Sequence, residues 1–369
     1  MLLIKNADLY APEHIGLVDI LIGGGKILKI APSISIPSSL VTIKDAEGEI
    51  VLPGLIDGHV HVIGGGGEDG CQSRVPPLRE KKIAEAGVTT VVGLLGTDGK
   101  TRTVRDLVAK TKALREWGLS AWCLTGSYEV PSPTLTGSVG DDILFIDEVI
   151  GVKVAVSDHR CSFPTVFELT RLTTEARLAS LMANKCGIVH VHVGADKRGI
   201  EDLFRIVEST PLPIKHFYPT HMGAHLEQAE RWLKLGGHID ITCNKNVIEA
   251  VTKLLSIDKD NLTISTDSNG SFPKWNEKKE IIGMGAGSIL KLYETIKELI
   301  NSGIDRSSVY ALATKNPAMA MHLSDKGTVT EGKDADLLIL DGDEIRSVYA
   351  KGELLKDGTY IKSAMYEDI

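Results

Sequence analysis

The chain has 369 residues, of which 43% are hydrophobic and 24% charged, a composition typical of a globular protein with a sizeable core. Its net charge of −8 argues against the basic surface that a nucleic-acid backbone requires. No apolar run reaches the roughly 18 residues that span a bilayer, and the first residues lack the features of an export signal. We therefore expect a cytoplasmic protein with neither nucleic-acid nor membrane partners.

Both ends of the chain alternate short strand-like runs with turns. Near the start, Gly23, Gly24 and Gly25 separate two apolar runs, as in a hairpin, and the C-terminal segment alternates similar runs with Gly and Asp turns. Each end is too small to form its own core. We therefore expect residues 1–50 and 325–369 to pack together as one small β-sandwich domain, with two independent hairpins as the alternative.

The central region, residues 51–324, alternates β-branched runs with amphipathic helices. Residues 104–117, for example, place apolar side chains at i, i+3 and i+4 spacing, which predicts a helix with one buried face. The candidate strands are eight in number, namely Ile50–Val62, Val88–Leu95, Leu119–Gly126, Gly151–Ser157, Gly187–Val193, Ile214–His221, His238–Cys243 and Leu262–Asp267. Eight strand–helix units predict an α/β fold of the (β/α)8 TIM-barrel type. A doubly wound sheet would instead carry a glycine fingerprint between a strand and a helix.

Candidate metal ligands close the first of these strands. His59 and His61 stand at i and i+2, so their imidazoles point the same way and can share a cation. The five cysteines are scattered without a C-x-x-C pair, which indicates small buried residues in a reducing compartment. Any metal at this position would therefore have nitrogen and oxygen ligands.

Four further polar groups stand at the ends of later strands. They are Lys153, His192, His221 and Asp267, on the fourth, fifth, sixth and eighth strands. Any one of them could be a core residue or a helix cap, but reactive groups of a barrel gather at the carboxyl ends of its strands. We therefore expect all four to meet His59 and His61 at one mouth. His190 is an alternative ligand that lies one pleat deeper than His192.

Lys153 needs an explanation of its own, because an ammonium group beside cations would be repelled. A buried lysine can lose its proton, and the neutral amine can then take up carbon dioxide to form a carbamate with two ligand oxygens. The alternative is an ion pair with a nearby acid such as Asp158.

Several motifs together resemble those of the isoaspartyl (β-aspartyl) dipeptidases, a branch of the metal-dependent amidohydrolase superfamily. The resemblance covers nearly the whole chain, and the GGGGE and LLGTDG segments are specific to the branch. The matching segments are IDGHVHVIGGGGEDG, AGVTTVVGLLGTDGKTR, SAWCLTGSYEVPSPTLTGSV, VIGVKVAVSDHR, HVGADK, PTH, STDSNGS and GTVTEGKDADLLIL.

This resemblance implies a site with two zinc ions. One would be held by His59, His61 and Asp267 and the other by His192 and His221, with N6-carboxylated Lys153 and a hydroxide bridging them. The paired cations would supply hydroxide at neutral pH and polarise the scissile carbonyl. Asp267 would act first as general base and then as general acid, and Tyr128 would stabilise the oxyanion.

The resemblance also assigns the substrate contacts. Glu68 would bind the substrate α-ammonium and belong to the catalytic set, and Arg160 would bind a carboxylate. The remaining polar contacts would be Gly66, Thr97 and Ser271. The chain departs from the family pattern at Ala224, where the family carries a second carboxylate-binding arginine three residues beyond its metal-binding histidine.

The expected activity is therefore hydrolysis of the β-aspartyl amide bond of dipeptides. The alternatives are an amidohydrolase of the dihydroorotase or hydantoinase kind acting on a cyclic amide, one acting on an N-acyl amino acid, or a non-catalytic scaffold homologue. The resemblance further implies a dipeptide-like small-molecule substrate and a homo-oligomer, with an octamer as one such assembly.

Overall fold

A computed structural model describes residues 1–276 and 281–366, which form an α/β fold. The strands are β1 Leu2–Tyr10, β2 His14–Gly23, β3 Lys26–Ala31, β4 Thr42–Asp45, β5 Ile50–Pro53, β6 Leu55–Val60, β7 Val88–Gly93, β8 Ser120–Gly126, β9 Val149–Val156, β10 Ile188–Val193, β11 Phe217–Thr220, β12 Ile239–Thr242, β13 Leu262–Ser265, β14 Ser271–Trp275, β15 Ile281–Ala286, β16 Leu337–Asp341, β17 Glu344–Ala350, β18 Glu353–Asp357 and β19 Tyr360–Ile361. The helices are α1 Glu80–Glu85, α2 Val104–Trp117, α3 Val139–Phe145, α4 Val166–Ala183, α5 Glu201–Ser209, α6 Leu226–Lys234, α7 Val247–Leu255, α8 Lys291–Asn301, α9 Arg306–Leu312 and α10 Lys315–Ala320.

A curled parallel sheet of six strands, in the order β11-β10-β9-β8-β7-β6, lies in the centre of the chain. Each strand pairs in parallel with the next strand along the sequence, and helices connect them, as the alternating pattern predicts. Apart from Trp122 in β8, the strands are buried along their whole length, which explains continuous β-branched runs such as those of β7, β9 and β10. The six strands correspond to the first six of the predicted central strands.

The seventh and eighth predicted strands, β12 and β13, pair with each other as a parallel two-stranded sheet. The neighbouring strand β11 has only four residues and contains Pro219, which has no N–H to donate to a ladder. Beyond β13, the chain returns to β6, where the His61 N–H donates to the Ser268 carbonyl at 2.8 Å. Across the described residues, the eight strands therefore do not form one continuous ladder.

The first predicted strand is two strands in two different sheets. Residues 50–53 form β5, which pairs with β16, whereas residues 55–60 form β6, which pairs with β7. The break falls at Gly54, where a Cβ would overlap the Thr89 side chain. The prediction of one strand over Ile50–Val62 was therefore wrong, because the chain crosses between sheets at this close approach.

Helix α2 illustrates how the local sequence sets the helices. Thr103 caps its start by accepting a hydrogen bond from the Asp106 N–H at 3.1 Å, and Gly118, with φ of 118°, ends it in the left-handed region. The buried face includes Val104, Leu107 and Leu114. The predicted bounds 104–117 are confirmed.

Both chain ends contribute to a separate nine-stranded sheet, in the order β19-β18-β17-β16-β5-β1-β2-β3, with β4 pairing to β1. β5 and β16 join the N-terminal and C-terminal segments, and Ile4, Ile20, Val51 and Ile339 are among the residues of its apolar core. Strands from the two ends therefore share one sheet. Hydrogen bonds link all nine strands into one branched sheet, so the structure does not show the two separate layers of the predicted sandwich.

Two further expectations can be compared with the fold. None of the helices in the described part of the chain has the length and apolar character needed to cross a membrane. All five cysteines are free thiols; Cys123, Cys161, Cys186 and Cys243 are buried as expected, but Cys71 is exposed, because it lies in the loop after the glycine run.

Phe217 in β11 provides a test of the packing beneath the sheet. Its ring is fully buried, with its centroid 6.2 Å from that of Trp232, so truncation to alanine leaves a cavity. We expect Phe217→Ala to lower the free energy of unfolding by about 3–5 kcal/mol in denaturant titrations. Phe167→Ala, at a ring that is 72% exposed, is the matched control and should change it by less than about 0.5 kcal/mol. Equal losses in the two variants would contradict this packing.

Candidate metal and catalytic site

Three polar side chains converge where β6, β11 and β13 end. One ligand atom from each of His59, His221 and Asp267 lies within 4.8 Å of the others. Asp267 Oδ1 also lies 3.0 Å from His61 Nε2 and 3.2 Å from His59 Nε2, without the alignment of a hydrogen bond. The structure therefore brings together four of the predicted metal ligands.

Two of these residues have an uncommon backbone conformation. His221 and Asp267 have φ values of 65° and 53°, in the left-handed region that non-glycine residues rarely adopt. His221 directly follows β11 and Asp267 stands two residues beyond β13, so both lie at the carboxyl ends of strands. Gly96 supplies the room for His61, because a Cβ there would lie 2.9 Å from His61 Cε1.

The donor set fits a divalent cation. Within the described residues, His221 Nε2, His61 Nδ1 and Asp267 Oδ1 are buried without a hydrogen-bond partner, although buried polar atoms are normally paired. Burial lowers the pKa of His59 to about 3 and that of His221 well below its usual value. Both imidazoles are therefore neutral and can offer a ring nitrogen to a cation. Burial raises the pKa of Asp267, but His59 and His61 outweigh it and hold that pKa well below the usual value. Neutral imidazoles and an ionised carboxylate are the ligands that zinc takes.

Lys153 is fully buried in β9, beneath this cluster. Its Nζ donates to His190 Nδ1 at 3.1 Å. Burial lowers the pKa of Lys153 to about 7, against the opposing effect of Asp267 and Asp240. The alternative of an ion pair with Asp158 is not what the structure shows, because Asp158 bonds His192 and Arg160 instead.

His192 lies beside the cluster, with its ring centroid 4.5 Å from that of His221. Its Nδ1 is 2.6 Å from the Tyr128 hydroxyl and its Nε2 is 2.8 Å from Asp158 Oδ2. Burial lowers the pKa of His192 to about 4 and raises that of Tyr128 well above 10, so the phenol keeps its proton. Both ring nitrogens are thus engaged, and binding a cation through His192 requires one of these bonds to be exchanged.

Arg160, four residues beyond the end of β9, links this pair to the glycine loop. Its Nε and Nη2 donate to Asp158 at 3.0 and 2.8 Å, and its Nη1 donates to Glu68 Oε1 at 3.1 Å. Glu68 also accepts a hydrogen bond from the Ser271 hydroxyl. The predicted contacts Glu68, Arg160 and Ser271 are therefore in one hydrogen-bonded chain.

Glu68 is placed by the glycine run that precedes it. Gly66 has φ of 74°, and a Cβ there would overlap the Ser73 carbonyl oxygen, so only glycine fits this turn. A cavity of about 840 Å3 opens between Glu68, Arg160, His192 and His221. Gly66 is buried and Thr97 half-buried, and neither is in the wall that the described residues form.

Two buried acids that the sequence analysis did not single out hold the cluster from below. Asp240 accepts hydrogen bonds from the hydroxyls of Thr220, Thr263 and Ser265 at 2.6–2.9 Å, and Thr220 Oγ1 lies 3.4 Å from His59 Nδ1. Asp57 accepts from the Thr266 hydroxyl at 2.5 Å. Each is an isolated acid within an apolar strand, a pattern that could have revealed them.

Comparison with known proteins agrees with this fold and donor set. Residues 50–365 match the model of the amidohydrolase family, and the chain belongs to that family. The β-aspartyl dipeptidase of Fervidobacterium islandicum AW-1, solved in complex with β-Asp-Leu, is 41% identical, with a TM-score of 0.94 over 99% of this chain and 100% of that one. A second structure of that enzyme is 40% identical, with a TM-score of 0.91. The predicted resemblance to this branch is confirmed.

Curated relatives of other activities match less completely. A dihydroorotase of Staphylococcus aureus is 39% identical over 116 residues, which are 31% of this chain and 26% of the relative's length. An adenine deaminase of Clostridium perfringens is 24% identical over the whole chain, which spans 61% of that relative. Solved D-hydantoinases at 16% identity share the fold alone.

The convergence of His221 on the cluster predicts its contribution to metal affinity. Replacing His221 with alanine removes one of three clustered ligand atoms, and even loss of a residue that only supports a ligand costs about 10–100-fold in affinity. We expect His221→Ala to weaken Zn2+ binding by more than about tenfold in competition titrations with a chelator. His14→Ala, at a half-exposed histidine on β2, is the matched control and should bind as the parent does. Equal affinities in the two variants would exclude His221 as a ligand.

Proposed function

We propose that the protein is a binuclear zinc metallohydrolase that cleaves the β-aspartyl amide bond of dipeptides. The single observation that carries the proposal is the full-length structural match to a β-aspartyl dipeptidase bound to β-Asp-Leu. The cluster of His59, His221 and Asp267 supports it, because the side-chain atoms needed to hold a cation already converge. The chain's own residues then divide into those that hold the cations, those that move protons and those that bind the substrate.

Two Zn2+ ions would be held by His59, His61 and Asp267 and by His192 and His221, with Lys153, carboxylated on Nζ, between them. When bound, such ions lower the pKa of a water molecule and polarise the scissile carbonyl. Full burial of Lys153 supports the carbamate, because desolvation favours the neutral amine that reacts with carbon dioxide.

Asp267 would carry the proton through the reaction. Its carboxylate accepts the proton of the attacking water and delivers it to the nitrogen of the leaving amine as the carbon–nitrogen bond breaks. The hydroxyl of Tyr128, which keeps its proton, donates a hydrogen bond to the oxygen that becomes negative. In the structure this hydroxyl bonds His192, so it lies beside the cluster already.

Substrate binding would use the hydrogen-bonded residues Glu68, Arg160 and Ser271. Glu68, with the Ser271 hydroxyl on its Oε1, would accept the substrate α-ammonium. Arg160 would bind a carboxylate, and Gly66 and Thr97 would add polar contacts through backbone and hydroxyl groups. An ammonium at Glu68 would replace the charge that Arg160 Nη1 now supplies at 3.1 Å.

A second candidate is hydrolysis of a cyclic amide. It is favoured by the match of 39% identity over 116 residues to a dihydroorotase. That match covers only 26% of the relative, and it lacks the full-length agreement seen with the dipeptidase. The dipeptide substrate is therefore the better supported of the two.

The finer architecture belongs to the same proposal. The strands β6–β13 would close as a (β/α)8 barrel over residues 51–324, which the return of Ser268 to His61 supports. Residues 1–50 and 325–369 would form the second domain. A homo-oligomer, with an octamer as one such assembly, and a cytoplasmic location stay predictions.

A direct assay tests the activity. Zinc-loaded protein should hydrolyse β-Asp-Leu, lose turnover after chelation and regain it when Zn2+ is restored, because the cation is part of the site. Asp267→Asn should abolish turnover, since the amide cannot accept the proton. Cleavage of a dihydroorotate-type amide without cleavage of β-Asp-Leu would replace this proposal with the second candidate.

Lys153 gives a second test, through its own chemistry. Lys153→Ala should lose bound metal and reduce turnover by about 10–100-fold or more, and short carboxylic acids such as acetate should restore part of both by supplying the missing oxygens. Lys326→Ala is the matched control, because Lys326 is a buried lysine whose Nζ lies 2.7 Å from Asp334 and Asp336, away from the site. Any loss there should not respond to acetate. Full metal content in Lys153→Ala without added acid would contradict the ligand role.

A further inference from the structure

The cavity is also lined by residues that take no part in the cluster or in the bonds of Glu68. Among them are Ala224, Asn244, Asn246 and Met284, which we call the outer wall. The whole space, about 840 Å3, is toward the upper end of the about 300–1,000 Å3 range of pockets for drug-sized ligands. A substrate held at Glu68 and cleaved at the cluster would extend its leaving group toward this outer wall, where room remains for more than one residue.

The outer wall carries little positive charge for a free carboxylate. Among the described residues that line the cavity, Arg160 is the one lysine or arginine, and all three of its nitrogen groups bond Asp158 or Glu68. The His159 side chain also faces Asp158, at 3.5 Å. A leaving-group carboxylate would therefore meet a guanidinium that Asp158 holds through two of its nitrogens, with only Nη1 released when the substrate ammonium binds Glu68.

The same wall offers neutral hydrogen-bonding groups instead. Asn244 Oδ1 accepts from the Asn246 N–H at 2.9 Å, and this bond does not use the Asn244 amide hydrogens. Within residues 1–276 and 281–366, the side-chain amide of Asn246 has no hydrogen-bond partner. A carboxamide can donate to a peptide carbonyl and accept from a peptide N–H at once. Two exposed asparagines beside uncharged Ala224 thus suit a peptide group better than a carboxylate.

We propose that the leaving-group side of this site recognises a neutral amide, so that β-aspartyl peptides extended beyond two residues or amidated at the C-terminus are substrates at least as good as the dipeptides. The proposal rests on the proposed function. The reaction is the same hydrolysis: water adds across the β-carbonyl–nitrogen bond, the carbonyl carbon keeps the hydroxyl, and the released peptide takes the proton on its new amino group.

The experiment compares β-Asp-Leu, β-Asp-Leu-amide and β-Asp-Leu-Gly with the zinc-loaded full chain. We expect kcat/KM for the amide and the tripeptide to equal or exceed that for the dipeptide. A preference for the dipeptide of tenfold or more would overturn the inference while leaving the proposed function intact. No turnover of any of the three would overturn both.

Ala224 supplies the matched variants. Ala224→Arg places a cation on the outer wall, and because a hydrogen bond to a charged group adds substantially to binding, the ratio of dipeptide to amide kcat/KM should rise about tenfold or more. Ala224→Met adds similar length without charge and should leave that ratio where it is in the parent. A similar rise in both variants would mean that bulk and not charge sets the preference, and would overturn the inference.

Binding without turnover gives an independent measurement. Calorimetric titration of the Asp267→Asn variant should yield a Kd for β-Asp-Leu-amide no weaker than that for β-Asp-Leu. A Kd tenfold weaker for the amide would contradict the neutral outer wall even if the rates of the active protein agreed with it.

Discussion

The approach of Asp267 to the imidazoles of His59 and His61 is the contact on which the rest of the site depends. A carboxylate that is 8% exposed is costly unless positive charge or hydrogen bonds compensate it, and the atoms nearest to it here are the Nε2 atoms of His61 and His59, at 3.0 and 3.2 Å. Such a carboxylate among ring nitrogens is a donor set that a cation would complete. The strand ends of β6, β11 and β13, which are far apart in sequence, are therefore held together at a point that apolar packing alone would not favour.

A second set of groups makes this convergence rigid. Asp240 gathers three hydroxyls from β11 and β13, and one of those hydroxyls, on Thr220, lies against His59. Asp57 binds the Thr266 hydroxyl, one residue before Asp267, and burial raises the pKa of Asp57 to about 7. Buried networks of this kind fix side-chain orientation because each member would be unsatisfied if it moved.

The local features of the fold could be predicted from the sequence, because they depend on neighbouring residues. Helix α2 follows from the Thr103 cap, its apolar spacing and Gly118, and the strands from Val88 to Val193 follow from continuous β-branched runs. The break at Gly54 could not be predicted, since it reflects the approach of Thr89 from a later strand. In the site, the positions of His59, His221 and Asp267 at strand ends were sufficient to predict their meeting. The bond of Asp158 to His192 required the folded chain, because the two residues are 34 positions apart and Lys153 lies much nearer to Asp158 in sequence.

The passage of one chain segment through both sheets has a mechanical consequence. Leu52 pairs with Leu338 in the terminal sheet, the Gly54 N–H donates to the Asp336 carbonyl at 2.9 Å, and five residues later the same backbone presents His59. The terminal sheet thus holds the start of the segment that carries His59, because only a few residues separate the two. The two sheets are consequently joined by one continuous segment. A cut at Pro53 would free the start of β6, the strand on which His59 stands.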